Sequence, residues 1–234
     1  MGLLQKPLAL AFLIVATGAA GAHNVTASYQ QEHPDLAVQS SGASSAFPND
    51  VYPETGNRLP SVKREMLTDE GKKLFDKSNG GYGPLRIALH SETVAIHDDA
   101  LNDYLRRHAG IEGKFVELAI LVTAREINSE YEWTAHEPAA LKAGLEPQVI
   151  DIVKYRKPVA GIAEKEAAII QLGREAMGRH EVSSGTAARA MNLFGAEETV
   201  NIVSLMGNYF SLGMLAVTFD QHLHPNDKPL LPIP

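Results

Sequence analysis

Residues 114–143 read KFVELAILVTAREINSEYEWTAHEPAALKA and are the most informative stretch of the chain. The first half, Lys114 to Ile127, is apolar on almost every side of a helix, which predicts a helix buried in the core. The second half, Tyr131 to Ala143, predicts another helix that ends at Gly144, a residue suited to a helix C-terminus. Two adjacent helices, one of them buried all round, indicate an all-α protein.

Helical patterns continue on both sides of this stretch. Helices are predicted for Asp98 to His108, Glu164 to Arg179, Ser184 to Phe194 and Glu197 to Phe219, and Thr68 can cap a helix that runs to about Lys77. The segment Gly80-Gly81-Tyr82-Gly83-Pro84 predicts a loop. Because no convincing alternating strand occurs, the fold class is predicted to be all-α.

The N-terminus has the composition of an export signal. Lys6 is followed by an apolar run from Pro7 to Ala22 that ends in small residues, which predicts a signal peptide at residues 1–22 with cleavage before His23. An uncleaved single-helix anchor is the alternative, although the run is short for a membrane span of about 20 residues. We therefore expect a secreted or periplasmic protein without stable membrane insertion after cleavage.

The rest of the chain divides by composition. Residues 23–62 are rich in Ser, Gln, Asn and Pro and predict a polar, flexible arm. A helical domain is predicted for residues 63–225, followed by a C-terminal tail at 226–234. Within the arm, Asn24-Val25-Thr26 matches the N-glycosylation pattern, and His23 as a new N-terminus is a weak candidate for copper binding.

Charge and cysteine content exclude several function classes. The net charge is −7, with 28 acids against 21 Lys and Arg, and there is no basic run. Such a chain has little attraction for a phosphate backbone, so nucleic-acid binding is not expected. The chain contains no cysteine, which excludes thiol nucleophiles, thiolate metal sites and thiol redox chemistry.

Three polar residues in the central stretch are candidates for acid–base chemistry. Glu117 lies on an apolar helix face, where desolvation should raise its pKa and favour proton transfer. A core Glu paired to an Arg of another helix is the alternative. Glu132 and His136 lie one turn apart, so the carboxylate can orient the imidazole. A surface salt bridge is the alternative for this pair, and no zinc site is predicted because the second His of a zinc helix motif is missing.

The spacing of these residues resembles a known active-site string. Glu117, Ser129, Glu132 and His136 are separated by 11, 2 and 3 residues, as in the alkylhydroperoxidase D and carboxymuconolactone decarboxylase superfamily. The peroxidase branch has cysteines at the positions of Ser129 and Glu132, so the chain looks like the cysteine-free, decarboxylase-like branch. The resemblance covers about residues 65–222 and implies an alkylhydroperoxidase D-like helical bundle preceded by an irregular N-terminal arm.

The resemblance implies a cofactor-independent lyase that decarboxylates a small carboxylated lactone or conjugated acid. His136 would be the general acid or base, Glu132 would orient it, and Glu117 would be the second proton-transfer group. Thiol peroxidase activity is not carried over because both cysteines are missing. An isomerase, dehydratase or cyclase that uses the same residues is an alternative, as is a non-catalytic small-molecule binding protein.

Four further residues are candidates for substrate binding. Arg86 is the first candidate for binding a substrate carboxylate and Arg125 the second, although Arg125 could equally be a structural partner of a neighbouring Glu. The resemblance implies that His90 lines the substrate site. The alternative is a histidine in the core whose hydrogen bonds are satisfied. Trp133 could supply an apolar wall for a flat substrate.

Two further expectations concern self-association and the residues at the end of the last helix. The resemblance implies a homo-oligomer, a dimer, trimer or hexamer, and the apolar helix around Val200 to Val217 fits burial in such an assembly, although a monomeric core is the alternative. Asp220 and His222 could cap the site, but termination of the last helix is the favoured interpretation.

Overall fold

The computed structural model describes residues 47–78 and 82–233. Helices make up most of this part of the chain, and no strand occurs in it beyond one isolated bridge between Tyr52 and Asn57. The predicted signal peptide, its cleavage site, the glycosylation pattern and the copper candidate His23 lie outside the described residues. The all-α prediction is confirmed.

The helices follow one another with short connections. They are α1 (Asp69–Lys77), α2 (Pro84–Ala88), α3 (Glu92–Arg107), α4 (Gly113–Glu126), α5 (Glu130–Lys142), α6 (Pro147–Lys154), α7 (Glu164–Gly173) and α8 (Ser184–Thr218). One 3₁₀ turn, Leu89–Ser91, joins α2 to α3, and a π-helical segment, Arg174–Arg179, continues α7.

Helix α4 is the centre of the core, as its apolar sequence predicts. Every residue from Phe115 to Arg125 is buried, and the helix packs against α5, α6, α7 and α8. Burying apolar surface on all sides is the main stabilising contribution that such a helix makes. Because Glu117 belongs to this run, its carboxylate is carried into the interior with the helix.

Local signals set several helix ends. Thr68 caps α1 by accepting a hydrogen bond from the backbone of Gly71, as predicted. Ser129 caps α5 in the same way, through the backbone N–H of Glu132 at 3.4 Å. Gly144 follows α5 with φ 88°, a conformation that suits glycine.

Two helix boundaries differ from the sequence prediction. Helix α3 begins at Glu92 rather than Asp98, because the 3₁₀ turn at Leu89–Ser91 leads directly into it. Helix α6 was not predicted. It has only eight residues and begins with Pro147. Proline is well tolerated at the first position of a helix, but elsewhere in a helix it is a breaker, so the sequence pattern here is ambiguous.

Helix α8 is divided by a kink at Gly195, whose φ of 77° and ψ of 171° are not helical. The kink lies between the two predicted helices, Ser184 to Phe194 and Glu197 to Phe219. By length and composition α8 could cross a membrane, but 39% of its most apolar window is already buried within the protein. Core helices of soluble proteins pass the same test, so this feature decides nothing about membranes.

Residues 47–62 are irregular but packed against the C-terminal end of α8. The backbone N–H of Arg58 donates to the carbonyl of Phe219 at 2.8 Å, and the Asn57 side chain donates to Gln221 at 3.0 Å. Val51 and Asn57 are buried. The described part of the predicted arm, residues 47–62, is therefore irregular as expected, yet it is docked rather than free.

Candidate acid–base site

Helices α4 and α5 bring the three predicted acid–base residues together. The Nδ1 atom of His136 lies 2.8 Å from Oε2 of Glu117, and both side chains are largely buried. A carboxylate can only accept a hydrogen bond, so Nδ1 carries the proton and donates. In the neutral ring this leaves Nε2 as the free acceptor, which is the arrangement that a proton-transferring imidazole needs.

Glu117 has a second partner from another helix. Its Oε1 atom lies 3.2 Å from the Arg106 guanidinium, which α3 supplies. Burial alone pushes the pKa of Glu117 up, but the hydrogen bond from His136 and the charges of His136 and Arg106 outweigh it, so the pKa falls below its ordinary value. The predicted rise of this pKa is therefore wrong, and the alternative of a core Glu paired to an Arg describes part of the site.

Glu132 has the opposite electrostatic environment. Its side chain is buried, Oε2 lies 3.7 Å from Nε2 of His136, and Oε1 has no hydrogen-bond partner among the residues that the structure describes. Desolvation is the largest effect and raises the pKa of Glu132, although the charges of His136 and Arg106 oppose it. Glu132 is thus the carboxyl group that retains its proton more readily, whereas Glu117 is the one that holds the imidazole.

A cavity of about 280 Å³ opens beside this group. Glu132 and His136 line it together with Tyr209 and Leu212 of α8 and Ala135 of α5. The ring of Tyr209 meets the His136 ring edge-on, with centroids 5.1 Å apart. The cavity therefore presents two groups that can exchange protons next to the apolar surface of Tyr209, Leu212 and Ala135, and the acids Asp98 and Asp99 also line it.

A chain of hydrogen-bonded polar side chains lies next to Tyr209. Asn102 donates to Asn208 at 2.7 Å, and Asn208 donates to Asp98 at 2.7 Å. Asn102 also hydrogen-bonds the phenol of Tyr209, whose pKa is raised, mainly because the ring is buried. Desolvation likewise raises the pKa of Asp98. Tyr209 is therefore a neutral, fixed hydroxyl at the cavity wall, able to donate a hydrogen bond.

Positive charge at the cavity comes from residues that the sequence analysis did not single out. Arg106, Arg107 and Lys77 line the cavity. Arg107 is paired with Asp103, and Lys77 lies 2.6 Å from Asp99. Arg106 makes its hydrogen bond to Glu117 through one nitrogen, and a guanidinium has further N–H groups to offer. No sequence signal marks these cations, because they come from α1 and α3, outside the α4–α5 stretch that carries the acid–base residues.

The two candidates before α3 lie away from this cavity. Arg86 donates to Ser78 and to the carbonyl of Phe75 at 3.0 Å, and its guanidinium stacks 3.4 Å from the Phe75 ring centroid. It therefore holds α1 and α2 together. His90 has Nε2 3.1 Å from the carbonyl of Pro60 and is exposed. Both line a small separate crevice rather than the acid–base cavity.

The other two candidates belong to the core. Trp133 is completely buried and donates through Nε1 to Glu137, so it packs inside the bundle rather than against a substrate. Arg125 is buried and donates to Asn128 at 2.5 Å. Neither lines the cavity at His136. A sequence pattern places Trp133 on the helix face of His136, but only the packing of α5 shows that this side chain faces inward.

The remaining residues of interest, Ser129, Asp220 and His222, lie outside the acid–base cavity. The Ser129 hydroxyl caps α5 and is 98% buried with its residue, so it serves the helix end. Asp220 follows the end of α8 with φ 51° and lies 3.3 Å from Nε2 of His222. Both line a different cavity of about 540 Å³. Within residues 47–78 and 82–233, no three His, Asp or Glu side chains converge in a way that could hold a metal ion.

Comparison with known proteins gives matches at the level of structure. No model of a known protein family matches the sequence, and no curated protein matches it either. Among solved structures, a peroxidase-related protein from Silicibacter sp. TM1040 aligns with a TM-score of 0.61 and 15% identity, over 79% of this chain and 97% of that one.

Two further solved structures agree. The alkylhydroperoxidase AhpD core of a peroxidase-related protein from Ralstonia eutropha JMP134 aligns with a TM-score of 0.59 and 17% identity, over 73% of this chain and 93% of that one. A protein of unknown function from Agrobacterium tumefaciens, related by name to the antioxidant defence protein AhpD, aligns with a TM-score of 0.54 and 21% identity. The alignment covers 62% of this chain and 99% of that one. At these identities the likeness concerns the fold, and this chain has the alkylhydroperoxidase D-like fold.

Proposed function

We propose that the protein is a cofactor-independent lyase that decarboxylates a small carboxylated lactone or conjugated acid. The observation that carries the proposal is the arrangement of three side chains. Glu117 holds Nδ1 of His136 at 2.8 Å, and the buried Glu132, with its raised pKa, lies 3.7 Å from Nε2 at the cavity wall. A carboxyl group whose pKa is raised, beside an acceptor imidazole, is suited to delivering a proton to carbon.

Substrate binding is assigned to the cations of α3. A substrate carboxylate would contact the free N–H groups of Arg106, with Arg107 beside it at the cavity wall. Charge-assisted hydrogen bonds of this kind are about twice as strong as neutral ones. Because Arg106 also contacts Glu117, the same side chain ties substrate binding to the orientation of His136.

The reaction then needs an electron acceptor and a proton. The bond from carbon to the carboxylate breaks, carbon dioxide leaves, and the electron pair passes into the conjugated carbonyl of the substrate, forming an enolate. The phenol of Tyr209 would donate a hydrogen bond to the enolate oxygen. Glu132 would donate its proton to carbon, and its carboxylate would be reprotonated by way of His136.

Thiol chemistry has no part in this proposal. The structural neighbours are labelled peroxidase-related, but this chain contains no cysteine, so a thiol relay cannot operate in it. The two positions at which the resemblance implies cysteines hold Ser129, which caps α5, and Glu132. Replacing a thiol by a buried carboxyl exchanges a nucleophile for a proton donor, which supports acid–base chemistry over peroxide reduction.

Two properties beyond the site remain proposals. The apolar run before His23 supports export to the periplasm or the medium, which mass determination of the secreted N-terminus would test. Exposed apolar side chains on one face of α8, namely Val200, Val203, Phe210, Met214 and Val217, support a homo-oligomer. Light scattering of the purified protein measures its mass in solution, and a monomer at micromolar concentration would contradict the oligomer.

The first experiment measures carbon dioxide release from γ-carboxymuconolactone and related carboxylated lactones by the full chain. We expect release by the wild type and a loss of at least about 100-fold in Glu132→Gln and His136→Ala, the usual size of a lost acid or base. Glu166→Gln and His90→Ala are the matched controls, because Glu166 is equally buried but paired with Lys114 and His90 lies outside the cavity.

The outcomes separate the rival functions. Folded wild type that releases no carbon dioxide from any of these acids would refute the decarboxylase. Conversion of the same compounds without carbon dioxide release, still lost in His136→Ala, would favour an isomerase or cyclase with the same residues. Binding without any conversion would favour a non-catalytic binding protein.

A further inference from the structure

The cavity at His136 borders a second one. A neighbouring cavity of about 360 Å³ shares Tyr82, Tyr131 and Ala135 with it. The two cavities are therefore adjacent along the first turns of α5. Small-molecule sites in proteins usually measure about 300–1,000 Å³, so the first cavity alone lies at the lower limit and the two together fall inside that range.

The chain itself builds the roof of the second cavity. The segment after α8 is fixed at one end by Gln221, which accepts a hydrogen bond from Asn57 at 3.0 Å. At the other end the backbone N–H of Leu230 donates to the hydroxyl of Thr134 at 3.2 Å, and Leu231 is buried in the main core. Because both ends of the segment are held, the second cavity is an open cleft bounded by an anchored part of the chain.

The lining of the second cavity is mostly uncharged. Aromatic and apolar side chains make up most of it, namely Tyr82, Tyr131, Ala135, Pro138, Leu223 and Leu230, while Thr134, His224, Asp227 and Lys228 also line it. The ring of His224 lies 5.3 Å from that of Tyr82. Burial raises the pKa of Tyr131 to about 12, so its phenol is neutral. Aromatic walls of this kind favour a flat, apolar group, whereas the carboxylate-binding cations lie in the first cavity.

We propose that the substrate is an elongated acid, with a conjugated carboxylate at His136 and Arg106 and an aryl or alkenyl tail in the second cavity against Tyr131. This inference rests on the proposed function, because it assigns the reacting end of the substrate to the first cavity. It goes further by naming the substrate class: a carboxylic acid whose tail extends well beyond a single small ring.

Ala135 is the position that tests this inference. It is exposed and lines both cavities, so Ala135→Trp fills the junction between them without disturbing the core. Ala143→Trp is the matched control, because Ala143 is an exposed alanine at the end of the same helix and outside both cavities. The thermal unfolding of both variants shows whether they fold like the wild type.

The measurement is the affinity of the full chain for two conjugated acids, 2-butenoate and 5-phenyl-2,4-pentadienoate, by calorimetry. We expect the longer acid to bind at least ten-fold more tightly to the wild type and to Ala143→Trp, and to lose this advantage in Ala135→Trp. Equal affinity for the two acids, or an advantage that survives Ala135→Trp, would overturn the inference.

The affinity measurement and the carbon dioxide assay distinguish failure of the tail site from failure of the proposed function. Tight binding of the longer acid with no carbon dioxide release from any acid would support the tail site and refute the decarboxylase. Carbon dioxide release from short lactones, with no gain in affinity from the tail, would support the decarboxylase and refute the tail site.

Discussion

Nδ1 of His136 lies 2.8 Å from Oε2 of Glu117, the carboxylate supplied by the most buried helix of the protein. This contact joins residues 19 apart in the chain, whereas Glu132, only one turn from His136, lies farther from the ring at 3.7 Å. The carboxylate that orients the imidazole is thus the distant one, and the neighbouring one has the raised pKa. The geometry therefore favours the opposite assignment of the two acids, with Glu117 orienting the imidazole and Glu132 as the candidate proton donor.

Glu132→Gln separates stability from activity. Desolvation raises the pKa of Glu132 above its ordinary 4.5, so ionising it costs free energy in the folded state and little in the unfolded chain. The penalty is absent below pH 4.5 and grows as the pH rises toward the folded pKa. We therefore expect Glu132→Gln to be more stable than the wild type at pH 8 and equally stable at pH 4, while its turnover falls.

Urea unfolding at the two pH values, with carbon dioxide release measured on the same samples, checks this result. Glu166→Gln is the control for loss of a buried carboxyl. A variant that is less stable than the wild type at pH 8 would show that Glu132 supports the fold.

Glu117→Gln should show the opposite dependence of stability on pH. Partners hold the folded pKa of Glu117 below its ordinary 4.5, so the ionised group stabilises the fold above pH 4.5 and this contribution disappears as the pH falls through the folded pKa. We expect Glu117→Gln to be about 1.5–3 kcal/mol less stable than the wild type at pH 7, the range for hydrogen bonds to a charged group.

The difference should shrink below pH 4.5, which chemical unfolding at pH 7 and pH 3.5 measures. An unchanged difference at both pH values would contradict the depressed pKa of Glu117.

Arg106 and Arg86 should behave differently on substitution. Arg106→Gln removes a cation from the cavity and is expected to raise KM about ten-fold or more, in line with about 1.5–3 kcal/mol for a charged hydrogen bond. Arg86 does not line that cavity, and Arg86→Gln loses structural contacts to Ser78 and Phe75, so it should lower Tm and leave KM unchanged. Steady-state kinetics and thermal unfolding of both variants decide the assignment, and a KM effect confined to Arg86→Gln would reverse it.

Tyr209→Phe tests the proposed hydroxyl donor. The variant keeps the ring that contacts His136 but removes the oxygen, so we expect kcat to fall about 100-fold, as on loss of one donor to a developing oxyanion, with KM little changed. Tyr104→Phe on α3 is the control, because Tyr104 is exposed and lies outside the cavity. A fall in Tm with unchanged kcat would assign the hydroxyl to packing alone.

Local sequence relationships determined much of the protein. The run from Phe115 to Ala124, in which all residues except Glu117 and Thr123 are apolar, requires a buried helix whatever surrounds it, because its apolar side chains have to be removed from water. The spacing of Glu132 and His136 places them on one helix face, because residues four apart are neighbours in any α-helix. The absence of cysteine excludes thiol chemistry without any knowledge of the fold.

The tertiary structure alone decided what those residues experience. Arg106 and Tyr209 reach the site from α3 and α8, and helix packing rather than sequence distance sets their contacts with Glu117 and His136. The same packing turns Trp133 inward and leaves Arg86 outside the cavity. A pKa depends on every charge and every loss of solvent around a group, so two glutamates that look alike in the sequence acquire opposite shifts only when the helices come together.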